Sequence, residues 1–388
     1  MHRKTSHRRR RRRNDHVKLS RTVQIASVLS VAALALTACG SDNPTGSTES
    51  SGGSSEQSSK AVTGTLTGIG ASSQKAAMDA WKSGFESTGE GAKVQYSPDG
   101  SGAGRKAFLA GGAQFAGSDA YLSDEEYESS QKICGPEGAF DIPAYVSPIA
   151  VAYNLEGVGQ LKLDAKTIAA IFKLEVTSWN DPAIAEQNEG VDLPDTNITV
   201  VHRNDESGTT ENFTQYLSAA AGDTWTYEES GDWPSDLQSE NAKGTAGVVS
   251  TTTSTPGAIT YADASAVGDL GTASVKVGED YTELSAEAAA KAVESAEPVT
   301  GRSDVDMALE LKRDTTESGA YPISLVSYHI YCSTYQDQET VDLVKAWGNY
   351  VVGTEGQQAA ADSAGSAPLS EPLMEQAHEA IDSIKVAS

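Results

Sequence analysis

Cysteine and histidine are scarce here, three of one and six of the other in 388 residues. His2, His7 and His16 stand in a basic leader, and His202, His329 and His378 are far apart in sequence. No Cys/His metal spacing, no His-Glu-x-x-His pair and no Gly-x-Ser-x-Gly elbow occurs. Metal-assisted hydrolysis and serine-nucleophile chemistry therefore have no visible seat, and neither a metal nor a cofactor is expected. Strand alternation turns His202 away from its neighbour Arg203, which makes it a structural histidine. Asp124, Glu125 and Glu126 read as helix-start charges and not as catalytic acids. Positive charge is the other shortage. The chain has 29 basic and 54 acidic residues, and ten of the basic ones lie before residue 39, with a single acid, Asp15. Without them the balance is 19 against 53, a net of −34, which excludes nucleic acid as a partner. An anion bound by such a chain must be captured by local dipoles and a buried arginine.

Those first residues read as an export signal. Arg3, Lys4, Arg8 to Arg13, Lys18 and Arg21 precede the charge-free stretch Thr22 to Ala38, which is short for a permanent membrane span. Leu36-Thr37-Ala38-Cys39 looks like a bacterial lipobox, so residues 1–38 are expected to be removed and Cys39 lipidated. The alternatives are an ordinary signal with a chance cysteine, or a basic tail. Residues 39–61 are mostly Ser, Gly, Thr and Glu and cannot bury enough apolar surface to order themselves, so they serve as a tether. The remainder is long enough for two α/β lobes.

One architectural unit recurs along that remainder: a strand, a Gly-containing turn, and hydroxyl residues at a helix start. Val62 to Ile69 leads through Gly68 and Gly70 to Ser72 and Ser73, ahead of a helix bearing Ala77, Trp81 and Phe85 on one face. Val94-Gln-Tyr96 leads through Pro98-Asp-Gly-Ser-Gly-Ala-Gly104 to a second helix. The Gly-Lys-Ser/Thr ending of a nucleotide loop is absent there, since Arg105-Lys106 runs into Ala107. Phe115-Ala-Gly-Ser118 places Asp119 at a strand tip, and Ser123 with Glu126 has capping-box spacing. Ile198 to Val201 leads through Arg203 and Gly208 to Ser207, Thr209 and Thr210 before Glu211 and Phe213. Taken alone, that last unit is also a capped helix with a solvated arginine. Several such turns together make an anion site, because first-turn N–H groups have no helical acceptor and the helix dipole favours negative charge. Two hydroxyls and a guanidinium suit a tetrahedral oxyanion better than a planar carboxylate.

Gly-Ile-Gly-Ala-Ser-Ser, Asp-Gly-Ser-Gly-Ala-Gly, Phe-Ala-Gly-Ser-Asp-Ala-Tyr-Leu-Ser and Arg-Asn-Asp-Glu-Ser-Gly-Thr-Thr occur in this order. Together they resemble the phosphate-binding lipoproteins of bacterial high-affinity phosphate ABC transporters, the PstS type, from about Leu66 to near the C-terminus. The resemblance implies an α/β, two-lobe periplasmic-binding-protein-like fold (type II), with mixed sheets flanked by helices, a ligand cleft between lobes and two hinge crossings. It implies Ser72, Ser73, Ser101, Asp119, Arg203, Ser207, Gly208 and Thr209 as phosphate contacts, and Asp205 as the residue that orients Arg203. Where the family often has Thr-Phe, this chain has Ser72-Ser73. An ionised Asp119 accepts but cannot donate, so it suits a protonated phosphate and repels sulfate.

Phe140 to Pro148 and Gly319 to Leu325 are the expected crossings, giving lobe I as 62–147 plus 323–388 and lobe II as 148–322. Val341 to Val352 and Glu371 to Ile384 are expected as helices on lobe I. In an oxidising compartment Cys134 and Cys332 are expected to pair, the alternative being two buried free thiols. The expected partners are inorganic phosphate, the permease membrane subunits of an ABC transporter and, through Cys39, the outer face of the cell membrane. The chain is expected to be a monomer. A binding protein for another oxyanion, or an exported phosphate sensor or adhesin without a transporter, are the competing readings. Residues 221–245 are either a docking surface or a tolerated acidic insertion, with Trp225 and Trp233 as packing anchors.

Overall fold

Alternating β-formers after Val62 build β1 (Gly64–Gly70), and the stripe Ala77, Trp81 and Phe85 is the buried face of α1 (Lys75–Ser87). The structure, a computed structural model, describes residues 62–88 and 91–388. The expected signal peptide, the lipid-bearing Cys39 and the tether lie outside the described residues. The unit repeats as β2 (Ala92–Ser97) with α2 (Ser101–Leu109), then β3 (Phe115–Ser118) with α3 (Asp124–Cys134). α3 opens on the anticipated capping box: Glu126 N donates to Ser123 Oγ and Ser123 N to the Glu126 carboxylate.

β4 (Ala139–Tyr153) follows, buried along its whole length. Then come β5 (Leu161–Leu163), α4 (Ala165–Phe172), α5 (Pro182–Ala185), β6 (Thr199–Arg203), α6 (Gly208–Ala221), β7 (Glu240–Ala242) and α7 (Gly244–Ser254). β8 (Ala258–Asp263), β9 (Gly271–Val277), β10 (Asp280–Thr282), α8 (Ala286–Val293), β11 (Glu297–Pro298) and β12 (Leu309–Glu310) continue the chain. β13 (Ser324–Cys332), β14 (Thr334–Tyr335), α9 (Gln338–Val352), α10 (Thr354–Ala364), α11 (Glu371–Asp382) and β15 (Lys385–Val386) complete it. Both expected C-terminal helices are present as α9 and α11, and α10 stands between them.

The strands run in the order β2-β1-β3-β13-β4-β8-β6-β7, with β9 branching from β4 and carrying β5 and β10. Pairing is parallel among β2, β1 and β3 and among β8, β6 and β7; β13, β4 and β8 join these groups antiparallel. The sheet is therefore mixed and flanked by helices. β4 carries it from one half to the other: Ala139 to Pro148 pair with β13, and Ile149 to Tyr153 with β8. The extended Phe140–Pro148 segment is thus continuous strand. Its prolines sit where proline is tolerated, Pro143 at a register shift and Pro148 where the partner strand changes.

Two features tie distant segments. Cys134 at the end of α3 and Cys332 at the end of β13 are disulfide-linked, with Cα atoms 4.6 Å apart. Residues 302–309, within the stretch assigned to lobe II, lie against the first half. Arg302 donates to Leu122 O and Asp141, and Met307 N donates to Asp141 O.

Asp263 ends β8 beside the point where β4 changes partner, fully buried, with Oδ1 accepting from Ser265 N and Oγ. Burial pushes its carboxyl up to about 6. The unfolded chain releases this proton near the ordinary aspartate value, so stability falls as pH rises from about 4 to 6 and stays reduced above. Asp263→Asn removes that loss. Urea unfolding should show the variant more stable than the parent by about 2–3 kcal/mol at pH 8, converging near pH 4. A variant less stable at pH 8 would contradict the reading.

Candidate functional site

The turns that end β1, β3 and β6, and the start of α2, meet at one place. Asp119, just past β3, is 2 % exposed, so its carboxylate must be satisfied by donors. Ser73 Oγ lies 2.7 and 2.6 Å from its two oxygens, Thr209 Oγ1 donates to Oδ2 at 2.9 Å, and Ser327 Oγ donates to Oδ1 at 2.7 Å. Its backbone N–H donates to Ser101 Oγ at 3.2 Å, and its carbonyl accepts from Asn212 Nδ2 at 2.6 Å. Ser73 and Ser101 come from the first half of the chain, Thr209 and Asn212 from α6, and Ser327 from β13.

Gly208 is at this meeting point because nothing larger fits. A Cβ there would lie 2.7 Å from Ser101 Oγ and 2.9 Å from both Asp119 Cβ and Ala120 N. As first-turn residues, Gly208 and Thr209 have N–H groups with no helical acceptor. Ser207 caps α6, its Oγ accepting from Thr210 N, while its own N–H donates to Gly231 O. Only the hydroxyl proton of Ser207 remains to be offered.

Arg203 ends β6 with its guanidinium buried. Its Nε and Nη2 donate to the two oxygens of Asp205 at 2.8 and 2.5 Å, which leaves the Nη1 edge for an anion. Burial raises the Asp205 carboxyl, but the hydrogen bonds and charge of Arg203, with a bond from Gly244 N, outweigh it and hold the group below its usual range. Ser72 is set apart. Its hydroxyl is 3.0 Å from Thr245 Oγ1 and accepts from Thr245 N, so it fastens the first turn to the start of α7.

Sequence reasoning missed several contributors. Gln74 Nε2 donates to Ser327 Oγ, which holds the hydroxyl toward Asp119. Tyr261 OH accepts from Arg203 N and pairs with Thr210 Oγ1. Ser327 is one of several polar residues, with Ser324 and His329, in a fully buried strand, so nothing in the sequence singles it out. Residues 221–245 supply the edge strand β7, Gly231 O and Gly244 N. Trp233 stacks on His202 at 5.0 Å and Trp225 is buried, so both pack. His202 also faces Arg203 O with Nδ1 at 2.7 Å.

A family model described as "PBP superfamily domain" matches residues 55–355. The chain is 35% identical over 374 residues to phosphate-binding protein PstS 3 of Mycobacterium leprae (strain TN), covering 95% of this chain and 100% of that one. The chain belongs to the PstS family. PstS 2 of Mycobacterium tuberculosis (strain ATCC 25618 / H37Rv) is 34% identical over 377 residues, with 95% and 100% covered. Among solved structures, the high-affinity periplasmic phosphate-binding protein PfluDING matches with a TM-score of 0.66 at 20% identity, over 81% of this chain and 93% of that one. A phosphate-binding protein from Stenotrophomonas maltophilia matches at 0.63 and 21%, with the same coverage. These two likenesses support the fold. The PstS family relationship spans the turns that converge on Asp119.

The close approach at Gly208 yields a test. Gly208→Ala should weaken oxyanion binding by about tenfold or more, because its Cβ meets backbone that cannot rotate away. Calorimetric titration checks this, alongside an anion-free unfolding scan that should change little. Unaltered affinity would refute the close-approach argument.

Proposed function

We propose that this protein captures inorganic phosphate in a cleft between two lobes and delivers it to an ABC permease. The lobes are 62–147 with 323–388, and 148–322, the 302–309 strap reaching back to the first. Export with lipidation at Cys39 would hold the protein as a monomer at the outer face of the cell membrane. Among the described residues no helix is long and apolar enough to cross a membrane.

The observation that carries the reading is a buried carboxylate ringed by hydroxyls beside a half-committed guanidinium. The Nη1 edge of Arg203, the first-turn N–H groups of Gly208 and Thr209, and the hydroxyls of Ser73, Ser101, Ser207 and Thr209 donate to the oxyanion, with Ser72 contributing its backbone N–H. The hydroxyls of Ser73 and Thr209 turn from Asp119 to the ligand, which frees a carboxylate lone pair. That lone pair accepts the proton of HPO₄²⁻ or H₂PO₄⁻. Sulfate has no such proton at neutral pH and meets a buried negative charge instead. Each charge-assisted hydrogen bond contributes about 1.5–3 kcal/mol, so a few suffice for micromolar or tighter binding after ordering costs. Binding is non-covalent and uses no metal. Asp205 limits the positive charge of Arg203, which aids release.

Calorimetric titration of residues 61–388, unfolded and refolded to strip carried-over ligand, tests the reading. Phosphate should bind tightly and sulfate should give no heat. Asp119→Asn should lose that discrimination. Equal binding of both anions by the parent would overturn the Asp119 argument and reopen the identity of the oxyanion, and binding of neither would remove the function.

A further inference from the structure

Glu206 lies between the two residues that serve the site, Asp205 and Ser207, yet its side chain leaves the site. It reaches α2, which belongs to the other half of the sheet. Glu206 Oε1 accepts from Arg105 Nη2 at 3.0 Å, Oε2 accepts from Lys106 Nζ, and Glu206 O accepts from Gly102 N at 3.4 Å. The fit is close: a Cβ on Gly102 would fall 2.2 Å from Glu206 Cδ, and one on Gly100 2.6 Å from Asp205 Oδ2. The glycines of Asp-Gly-Ser-Gly-Ala-Gly thus clear the surface onto which Asp205-Glu206 seats. Arg105 is itself prepared for this, being 6 % exposed and held by Glu126 at 3.0 Å and Ser118 Oγ at 3.1 Å. Those two partners come from its own half of the chain, so the bond to Glu206, with a longer ion pair from Nη2 to Glu211 of α6 at 4.0 Å, depends on the halves meeting.

We propose that Glu206 is the latch of the closed cleft, a positioning residue that sets how long the anion stays and not how fast it arrives. This rests on the two-lobe phosphate reading above. The contacts form when the β6–α6 loop reaches α2, after the anion has met the open form. Loss of the latch therefore acts on dissociation. Seating Glu206 also fixes its neighbours, so Arg203, through Asp205, and the start of α6, through Ser207, are presented together. The Lys106 arm is exposed and is weakened by salt, whereas the Arg105 arm is sheltered.

Stopped-flow phosphate binding and release by the parent, Glu206→Gln, Lys106→Met and the double variant test this. Glu206→Gln should release phosphate on the order of tenfold faster, with the association rate within about twofold of the parent. Lys106→Met, on an exposed side chain that does not endanger folding, should give a smaller increase. The double variant should release no faster than Glu206→Gln alone, because both changes remove one shared contact. An unchanged release rate in Glu206→Gln, a slowed association that accounts for the lost affinity, or full additivity of the two changes would each overturn the latch. If the parent takes up no phosphate at all, the reading of the site fails, and that outcome is distinct from the others.

Discussion

A carboxylate taken out of water has to be given hydrogen bonds, and Asp119 is the group around which this chain satisfies that demand. Three hydroxyls from three separate segments, Ser73, Thr209 and Ser327, converge on it. The sheet order explains how. β3, which leads to Asp119, lies between β1, which leads to Ser73, and β13, which carries Ser327. Only Thr209 must come from the far half of the sheet, beyond β4, and it arrives on the first turn of α6. The cost of burying one charge is offset by donors that can also serve an oxyanion, so the structural need and the proposed binding chemistry use the same atoms.

The second constraint is close approach. Gly208, Gly100 and Gly102 all lie where a side chain would strike the opposing half. Their presence converts two helix starts into surfaces that meet at backbone distance. Asp205 sits between Arg203 and Gly244 within its own half, and the meeting brings Glu206 onto Arg105 and Lys106. A protein whose net charge is strongly negative can thus gather hydrogen-bond donors at one place without a basic surface.

Much of this was legible in the sequence because it is local. Strand, glycine turn and hydroxyl-bearing helix start are read from neighbours in the chain, which is how the turns bearing Ser73, Ser101, Asp119, Arg203 and Gly208 stand out; their roles as contacts, and Asp205 as the partner of Arg203, are what the family resemblance implies. The capping box at Ser123 follows from the same kind of signal, whereas the mixed sheet is what the resemblance implies. What escaped is set by register and long-range pairing. Ser327 and Gln74 matter only because β13 lies antiparallel to β3, and no local pattern announces that. Ser72 resembles a contact by position, yet its hydroxyl is taken by Thr245, 173 residues away. The acidic stretch 221–245 looked peripheral, but an edge strand and two backbone partners of the site lie within it or at its border. Glu206 has no local signal because its partners, Arg105 and Lys106, belong to a different helix about 100 residues earlier.

The central claim is that Asp119 accepts a proton carried by the ligand. A neutron structure of the phosphate complex addresses it directly. The account predicts one phosphate oxygen within hydrogen-bond distance of the Asp119 carboxylate, with the hydrogen nuclear density between them bonded to the phosphate. A complex in which every phosphate oxygen faces a donor, with Asp119 still bonded to Ser73 and Thr209, would contradict it.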